Sequence, residues 1–504
     1  MVLWERWANT GINNNYVCFN GYTTGIVNDG TGTTGNGNTC NTTSGYQDST
    51  TGATNCSYAC SAVAPAPTCG CFSGTHNYTC GEIVNESCTL NCNLNSTGTC
   101  FTVGANDIVI NGNGYNITGD GGFVDYGIYA NGRNNLTIKN FKIYNFSYGI
   151  YLSSSSNNTI TNNTANSNAV YGIYLYSSSN NTITNNTANS NTNNAAGIRL
   201  DSSSNNVITN NIANLNDYSG INLDSSSNNT ITNNIATSNR AAGIYLSSSS
   251  NNTITNNTAK LNYNGIWLQD SSNNNTITNN TANSNDYGII LNAGPNHNNL
   301  INNTANSNNA VGIYLRDSSN NNTITNNTVN SNSKSGIYIT SSNFNKILNN
   351  TILNNNETGI TISNCLLGGD CYNGNSNNTI EENVIKNNKI GIFSNASNST
   401  ISSNIVCGNT NLDFSSSDWL SSSGDNNICF KPDRWNDTGT IGCTLTCQQY
   451  LCDLNHDGIY FQDRDDLMST YKCFLGFERN CNTIHMQEWN LMKKEYDCFT
   501  GDFN

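Results

Sequence analysis

Charge is scarce in this chain: Asp, Glu, Lys and Arg make up 10% of its 504 residues, and the formal net charge is −14. No lysine/arginine cluster stands out, so nucleic acid is excluded as a partner; a phosphate backbone would find nothing to hold it. Long apolar runs are missing too, and no stretch is long enough to span a bilayer. The opening residues, Met1-Val2-Leu3-Trp4-Glu5-Arg6-Trp7, have no apolar signal-peptide core, so export needs a leader that precedes this sequence. There are only 4 histidines. Cysteine is absent from the whole middle: ten of the 20 lie between Cys18 and Cys100, and ten between Cys365 and Cys498. With so little histidine and no paired CxxC spacing, zinc clusters are the poorer reading. Disulfides at the two ends, in an oxidising extracellular setting, are the better one, with the pairing left open.

What fills the middle is one phrase. A copy beginning at Gly172 reads GIYLYSSSNNTITNNTANSN, and variants begin at Gly127, Gly149, Gly197, Gly220, Gly243, Gly265, Gly288, Gly312, Gly336, Gly359 and Gly391. The interval of about 23 residues marks a stacked repeat, and this regularity rules against disorder despite a hydrophobic content of 35%. Within a copy, Ile173 and Leu175 share one parity and Tyr174 the other; Ile183 opposes Thr182 and Thr184. Period-two alternation in runs this short means strands, and the Ser/Asn stretches between them are turns. Stacking predicts inner columns of Ile150, Ile173, Ile198 and Ile221, of Leu152, Leu175 and Leu200, and of Ile160, Ile183 and Ile208. It also predicts a buried amide ladder of Asn162, Asn185, Asn210, Asn233, Asn256 and Asn279, which share parity with the isoleucine two positions earlier.

The GI-x-L…NN-x-I-x-NN phrase, with its entry segment Asn106 to Tyr115, resembles the right-handed parallel β-helix repeats of the pectin-lyase-like superfamily, in its NosD-type and archaeal surface-protein branch. The implied fold is all-β, a solenoid of about a dozen rungs. The chain divides into a Cys/Thr/Gly/Asn-rich arm or small domain (1–68), a disulfide-rich cap (69–104), the parallel β-helix (105–430) and a C-terminal module (431–504). Between Gly359 and Gly391 the repeat is stretched by a loop, Cys365 to Cys371, expected to close on its own disulfide.

The C-terminal module reads differently. Asp453-Leu454-Asn455-His456-Asp457-Gly458 is the first half of an EF-hand calcium loop, with oxygen ligands at alternate positions and glycine sixth. The expected ligands are Asp453, Asn455, Asp457, Ile459, Asp463 and Asp465. The unit recurs, Ile459 to Phe474 matching Ile484 to Phe499, and a duplicated loop–helix unit resembles a small α-helical dockerin-like module. Arg464 at the twelfth loop position departs from that pattern and weakens or shortens the loop.

On the coil, Arg199, Asp201 and Asp224 are the candidates for acid/base chemistry, because stacking sets the two aspartates on consecutive turns. No third acid joins them, and His297 lies several turns away. Outward parity places Tyr129, Tyr151, Tyr174, Tyr245, Trp267, Tyr314 and Tyr338 on one exposed face, suited to stacking on glycans or to an interface. The turns are crowded with N-x-T/S sequons, and N-linked glycans are expected at Asn157, Asn180, Asn229, Asn251, Asn302 and Asn321. The reading these features favour is an extracellular or cell-surface structural protein. It is a glycosylated rod that self-assembles into a filament, sheath or surface layer or serves as a scaffold, with Ca2+-dependent docking to a cohesin-like or glycan partner. A carbohydrate-active enzyme (polysaccharide lyase or glycoside hydrolase) and a non-catalytic glycan-binding adhesin are the competitors.

Overall fold

A computed structural model describes residues 69–122, 124–364, 376–416, 419 and 421–447, together with the backbone of short strands between residues 3 and 59. The chain forms two compact units, Met1–Cys69 and Gly70–Asn504. The first was expected as an arm or a small domain. Its strands pair in parallel, Leu3 with Ile26, Gly11 with Thr34 and Tyr16 with Thr39. Each pairing spans the same interval as the main repeat, although the GI-x-L phrase is missing there.

The second unit is a β-solenoid. One sheet has 16 strands, running from a terminal hairpin to Thr400–Ser402. A second has 15, running from Glu82–Val84 to Leu412–Ser415. A third face is assembled from shorter pieces joined by single bridges such as Thr164 to Thr187 and Thr187 to Ile212. Among the described residues, apart from the N-terminal hairpin, where Cys71–Phe72 pairs with Asn77–Tyr78 and with Thr89–Leu90, every pairing is parallel. The coil extends somewhat beyond the expected segment at both ends: Glu82–Val84 already pairs in parallel with Phe101–Val103, and Ile428 pairs with Leu445. Among the described residues there is no helical element; the helical module expected after residue 447 lies outside them, as does the Cys365–Cys371 loop.

The aliphatic columns stack in register. Ile150 pairs with Ile173, Ile173 with Ile198 and Ile198 with Ile221, all fully buried. A fourth column of Ala165, Ala188, Ala213, Ala236 and Ala259 lines the third face. Its small size matches the glycine that opens each repeat. A Cβ on Gly149 would stand 2.5 Å from the Gly172 carbonyl oxygen and 3.0 Å from the Cβ of Ala165. Glycine is therefore the only residue that lets these two walls meet.

The asparagine ladder exists, but one residue later than parity predicts. Asn162 is exposed, with φ of 56°, and Asn163 is buried. The left-handed residue turns the chain through a corner, so strand alternation does not carry across it and the following residue points inward. The same holds at Asn185, Asn210, Asn233, Asn256 and Asn279, whose neighbours Asn186, Asn211, Asn234, Asn257 and Asn280 form the ladder. Each rung has several such corners. Ser154, Asn157, Asn162 and Ser167 are left-handed, and Ser155, Asn158, Asn163 and Asn168 behind them are buried. Asn163 shows the bonding pattern. Its Nδ2 donates to the Ile138 carbonyl at 2.9 Å and to Asn186 Oδ1 at 3.1 Å, and its backbone N–H donates to the same Oδ1 at 2.9 Å. Both amide donors are used, and each Oδ1 receives two protons, so a fully buried amide is satisfied from rung to rung.

The ends are stapled. Cys71–Cys88 and Cys80–Cys100 hold the first turns; Cys407–Cys447 and Cys429–Cys443 hold the last. Cys69 and Cys92 are also disulfide-bonded. An aromatic plug closes the C-terminal turns, with Phe414 stacked on Trp435 at 5.3 Å and Trp419 packed edge-on against Trp435 at 5.0 Å. End caps of this kind are needed because each rung buries its apolar face only against its neighbours. The disulfides place the protein in a non-cytoplasmic, oxidising compartment.

Candidate functional site

The outer face of the 15-stranded sheet carries the side chains singled out from the sequence. In the strand Tyr148–Ser153 both Gly149 and Ile150 are buried. The glycine corner resets the alternation, so residues three apart, Tyr148 and Tyr151, both face outward. This adds a second column, Tyr126, Tyr148 and Tyr171, beside Tyr129, Tyr151 and Tyr174. The signal for it was the Y-G-I-Y phrase, which strict alternation misreads.

These rings pack on one another. Tyr151 and Tyr174 stack at 4.8 Å with an 11° interplanar angle, Tyr126 stacks on Tyr129 at 4.8 Å, and Tyr171 contacts Tyr174 at 5.0 Å. The ring spacing follows the strand spacing, so ring faces cover ring faces and mainly edges and hydroxyls meet solvent. Burial pushes the phenol of Tyr174 up, helped by the charge of Asp201 and by Tyr151; Tyr148 and Tyr171 are raised by burial as well.

Arg199 interrupts the stack. It replaces a tyrosine in the Tyr174 column, and its guanidinium lies 5.4 Å from the Tyr171 ring centroid. Its Nη2 reaches Asp201 Oδ2 at 3.3 Å and Asp224 Oδ2 at 3.1 Å. Burial works against its charge, but Tyr171 and the two aspartates outweigh that and hold it above its ordinary value. The three candidates for acid/base chemistry are thus brought together, as a cation clamped between two carboxylates. Asp201 and Asp224 are register partners, as predicted.

Beyond Arg199 the expected exposed face is largely covered. Tyr314 is 2% exposed and Tyr338 8%, and with Ile290 and Val311 they form a small external core packed against Trp267 and Tyr287. Tyr314 stacks on Tyr287 at 5.8 Å and meets Tyr338 edge-on at 5.2 Å. Tyr245 is 9% exposed and tilts against Trp267 at 4.6 Å. Tyr129, Tyr151, Tyr174 and Trp267 are half-buried. The reading of seven open stacking platforms is corrected accordingly: neighbouring aromatic columns on a single sheet bury each other.

The sequon asparagines occupy the left-handed corners. Asn157, Asn180, Asn251, Asn302 and Asn321 are exposed with positive φ. Asn229 is not. It is 1% exposed and belongs to a buried ladder, and the sequon there is Asn228-Asn229-Thr230, whose acceptor Asn228 is exposed. Asn162, Asn185, Asn256 and Asn279, expected to be inward, are also exposed acceptors. Asp453, Asn455, Asp457, Ile459, Asp463 and Asp465 lie outside the described residues.

Family models match most of the coil. The model described as periplasmic copper-binding protein (NosD) matches residues 187–311 and 293–452. That for the right-handed beta helix region matches residues 71–198. No curated protein matches the sequence. Among solved structures, the chain is similar to the periplasmic alginate epimerase AlgG, with 13% identity, a TM-score of 0.40 and coverage of 69% of this chain and 79% of that one. It is also similar to the A-module of the Azotobacter vinelandii mannuronan C-5 epimerase AlgE6, with 16% identity, a TM-score of 0.41 and coverage of 70% and 92%. None of these similarities reaches a level at which chemistry transfers. Copper sites draw on Cys, His and Met donors. Among the described residues no three His, Cys, Asp or Glu side chains converge, the cysteines are in disulfides, and His297 stands on an exposed turn. The described coil therefore offers no donor set for copper. With a NosD model spanning more than half of its length and a right-handed β-helix model preceding it, this chain belongs to the NosD family of β-helical proteins.

Proposed function

We propose that the protein is an extracellular structural rod, glycosylated at its corner asparagines, that assembles into a filament, sheath or surface layer and docks through a calcium-dependent C-terminal module. The observation that carries this reading is the set of amide ladders. From Asn163 to Asn427 the buried amides bond rung to rung without a break, which suits a long element that bears load along its axis. The outward carboxylates Asp201 and Asp224 are held by Arg199 rather than left open for a substrate. Calcium at Asp453, Asn455, Asp457, Asp463 and Asp465, with the Ile459 carbonyl, supplies the docking switch.

Electron microscopy of native material in calcium and in chelator tests this. Ordered polymers or layers are expected, and a particle that stays monomeric at every concentration in calcium removes the assembly reading. Calorimetric titration of the full chain with calcium tests the docking module separately. Release of sugars from a polysaccharide, lost in Asp201→Ala and Asp224→Ala variants, would replace the rod with the enzyme.

A further inference from the structure

The 16-stranded sheet has an outer face that the structural role does not use. From Thr159–Thr161 to Thr323–Thr325, eight successive strands present two outward side chains each. Threonine fills every one of these positions except Val207, Asn299 and Ile301. The strands pair in register, so the side chains form two straight columns: Thr159, Thr182, Val207, Thr230, Thr253, Thr276, Asn299, Thr323 and Thr161, Thr184, Thr209, Thr232, Thr255, Thr278, Ile301, Thr325. No charged side chain enters the array; Lys139 and Lys346 bound it at either end. None of these threonine hydroxyls bonds to another described protein group. The face is also held firmly. Each strand lies between two laddered asparagines, as Thr159–Thr161 lies between Asn158 and Asn163, so both of its ends are tied to the next rung. Across these eight strands the pairing continues in register without a gap.

Such a surface is a two-dimensional lattice of hydroxyls and methyls. Neighbouring strands set its spacing at ~4.8 Å, and alternate residues along a strand at ~6.7 Å. Tetrahedral water bonded at ~2.75 Å repeats at ~4.5 Å between second neighbours and ~7.3 Å across a double layer. The two lattices agree to within about a tenth in both directions, and the mismatch of ~0.3 Å per strand leaves three or four consecutive strands in step at once. Methyls shelter water between the columns while hydroxyls bond to it, and because β-branched threonine is stiff at χ1 on a strand, little side-chain entropy is lost on contact.

We propose that this threonine face binds ice, by adsorbing a crystal plane of ordered water. The exposed acceptors Asn157 and Asn162 flank Thr159–Thr161, and Asn180 and Asn185 flank Thr182–Thr184, so glycans there would fence the face, and the unglycosylated form is the binder.

The test uses the full chain, made unglycosylated, alongside native material. Expected results are a measurable gap between melting and freezing points, faceted ice crystals, and enrichment of the protein in a slowly grown ice hemisphere. Thr232→Tyr with Thr255→Tyr, in mid-array, is expected to cut the gap several-fold with circular dichroism and melting temperature unchanged. Thr281→Tyr, on the third face, is expected to leave the gap intact. Absence of any gap and of crystal shaping in the unglycosylated wild type overturns the proposal, and that measurement does not depend on any variant folding. Retention of the full gap in the double variant also overturns it, as does adsorption to crystalline cellulose or chitin with none to ice.

Discussion

Asn427 donates its amide Nδ2 to Asp437 Oδ1 at 2.6 Å and its backbone N–H to Asp437 Oδ2 at 2.9 Å. Every amide earlier in that ladder gives one Nδ2 proton and its backbone N–H to the Oδ1 of the next asparagine; at the end of the ladder donors converge on two oxygens, so the group there must accept at both. A carboxylate is that acceptor. Asp437 also receives Trp435 Nε1 at 2.9 Å and Thr444 N at 2.7 Å, which satisfies it without a cation. The neighbouring ladder ends the same way: Asn409 donates to Asp413 Oδ1 at 2.8 Å, and Asp413 Oδ2 receives the N–H groups of Phe430 and Lys431.

Replacing Asp437 with asparagine puts an amide donor where only donors converge. Asp437→Asn should cost about 2–3 kcal/mol, the penalty for buried groups left unpaired. Because rungs couple only to neighbours, the loss should be local. Hydrogen exchange is expected to accelerate at Ile405–Cys407 and Ile428, while Ile221 and Ile244 stay protected. Uniform exchange across the coil would argue against a terminating role.

The tyrosine stack makes the fold sensitive to alkali. Burial, with neighbouring phenols and Asp201 adding to it, raises Tyr126, Tyr148, Tyr151, Tyr171 and Tyr174 above the ordinary phenol value. A raised folded value means the folded state keeps protons that the unfolded chain releases. The stack's contribution is therefore complete below about pH 10 and declines as pH rises beyond it. Absorbance at the phenolate band should show these tyrosines ionising only together with loss of the circular dichroism signal. Free titration of all tyrosines near their ordinary value in folded protein would contradict the packing.

Arg199 keeps Asp201 and Asp224 compatible on adjacent strands. Arg199→Ala leaves two carboxylates side by side, a pairing that repels unless a cation intervenes. The variant is expected to melt below wild type in chelator and to recover on adding calcium. In the wild type, Asp201 and Asp224 should contribute no calcium-dependent shift. The comparison is a melting curve of each protein, with and without the ion, read at the coil transition.

Glycan mapping checks the corner geometry. In native material, occupancy is expected at Asn157, Asn162, Asn180, Asn185, Asn251, Asn302 and Asn321, and at Asn228 rather than Asn229. Asn229 is buried, with its Oδ1 accepting the Asn206 backbone N–H at 2.8 Å, and has no room for a sugar. Occupied Asn157 and Asn180 together with consistently empty Asn162 and Asn185 would mean those corners turn inward.

The repeat interval, the all-β coil and the inner Ile and Leu columns were legible because period-two alternation has one solution once copies stack. The pairing of Asp201 with Asp224 followed from that register alone. The amide ladder was placed one residue early, since alternation says nothing about a left-handed corner such as Asn162. The second tyrosine column was missed for a related reason: Gly149 resets the parity, and only backbone geometry reveals the reset.

What the sequence settled by itself is therefore the local part: which residues form strands, how often the phrase returns, and which aliphatic side chains meet. Folding alone decided how those strands are joined through their corners. A corner turns on the φ of a single residue, and that choice depends on whether the next rung offers Asn163 its acceptor, which no window of sequence contains. The same dependence explains why Tyr314 is covered while Thr232 faces solvent, although both stand at outward positions of their strands.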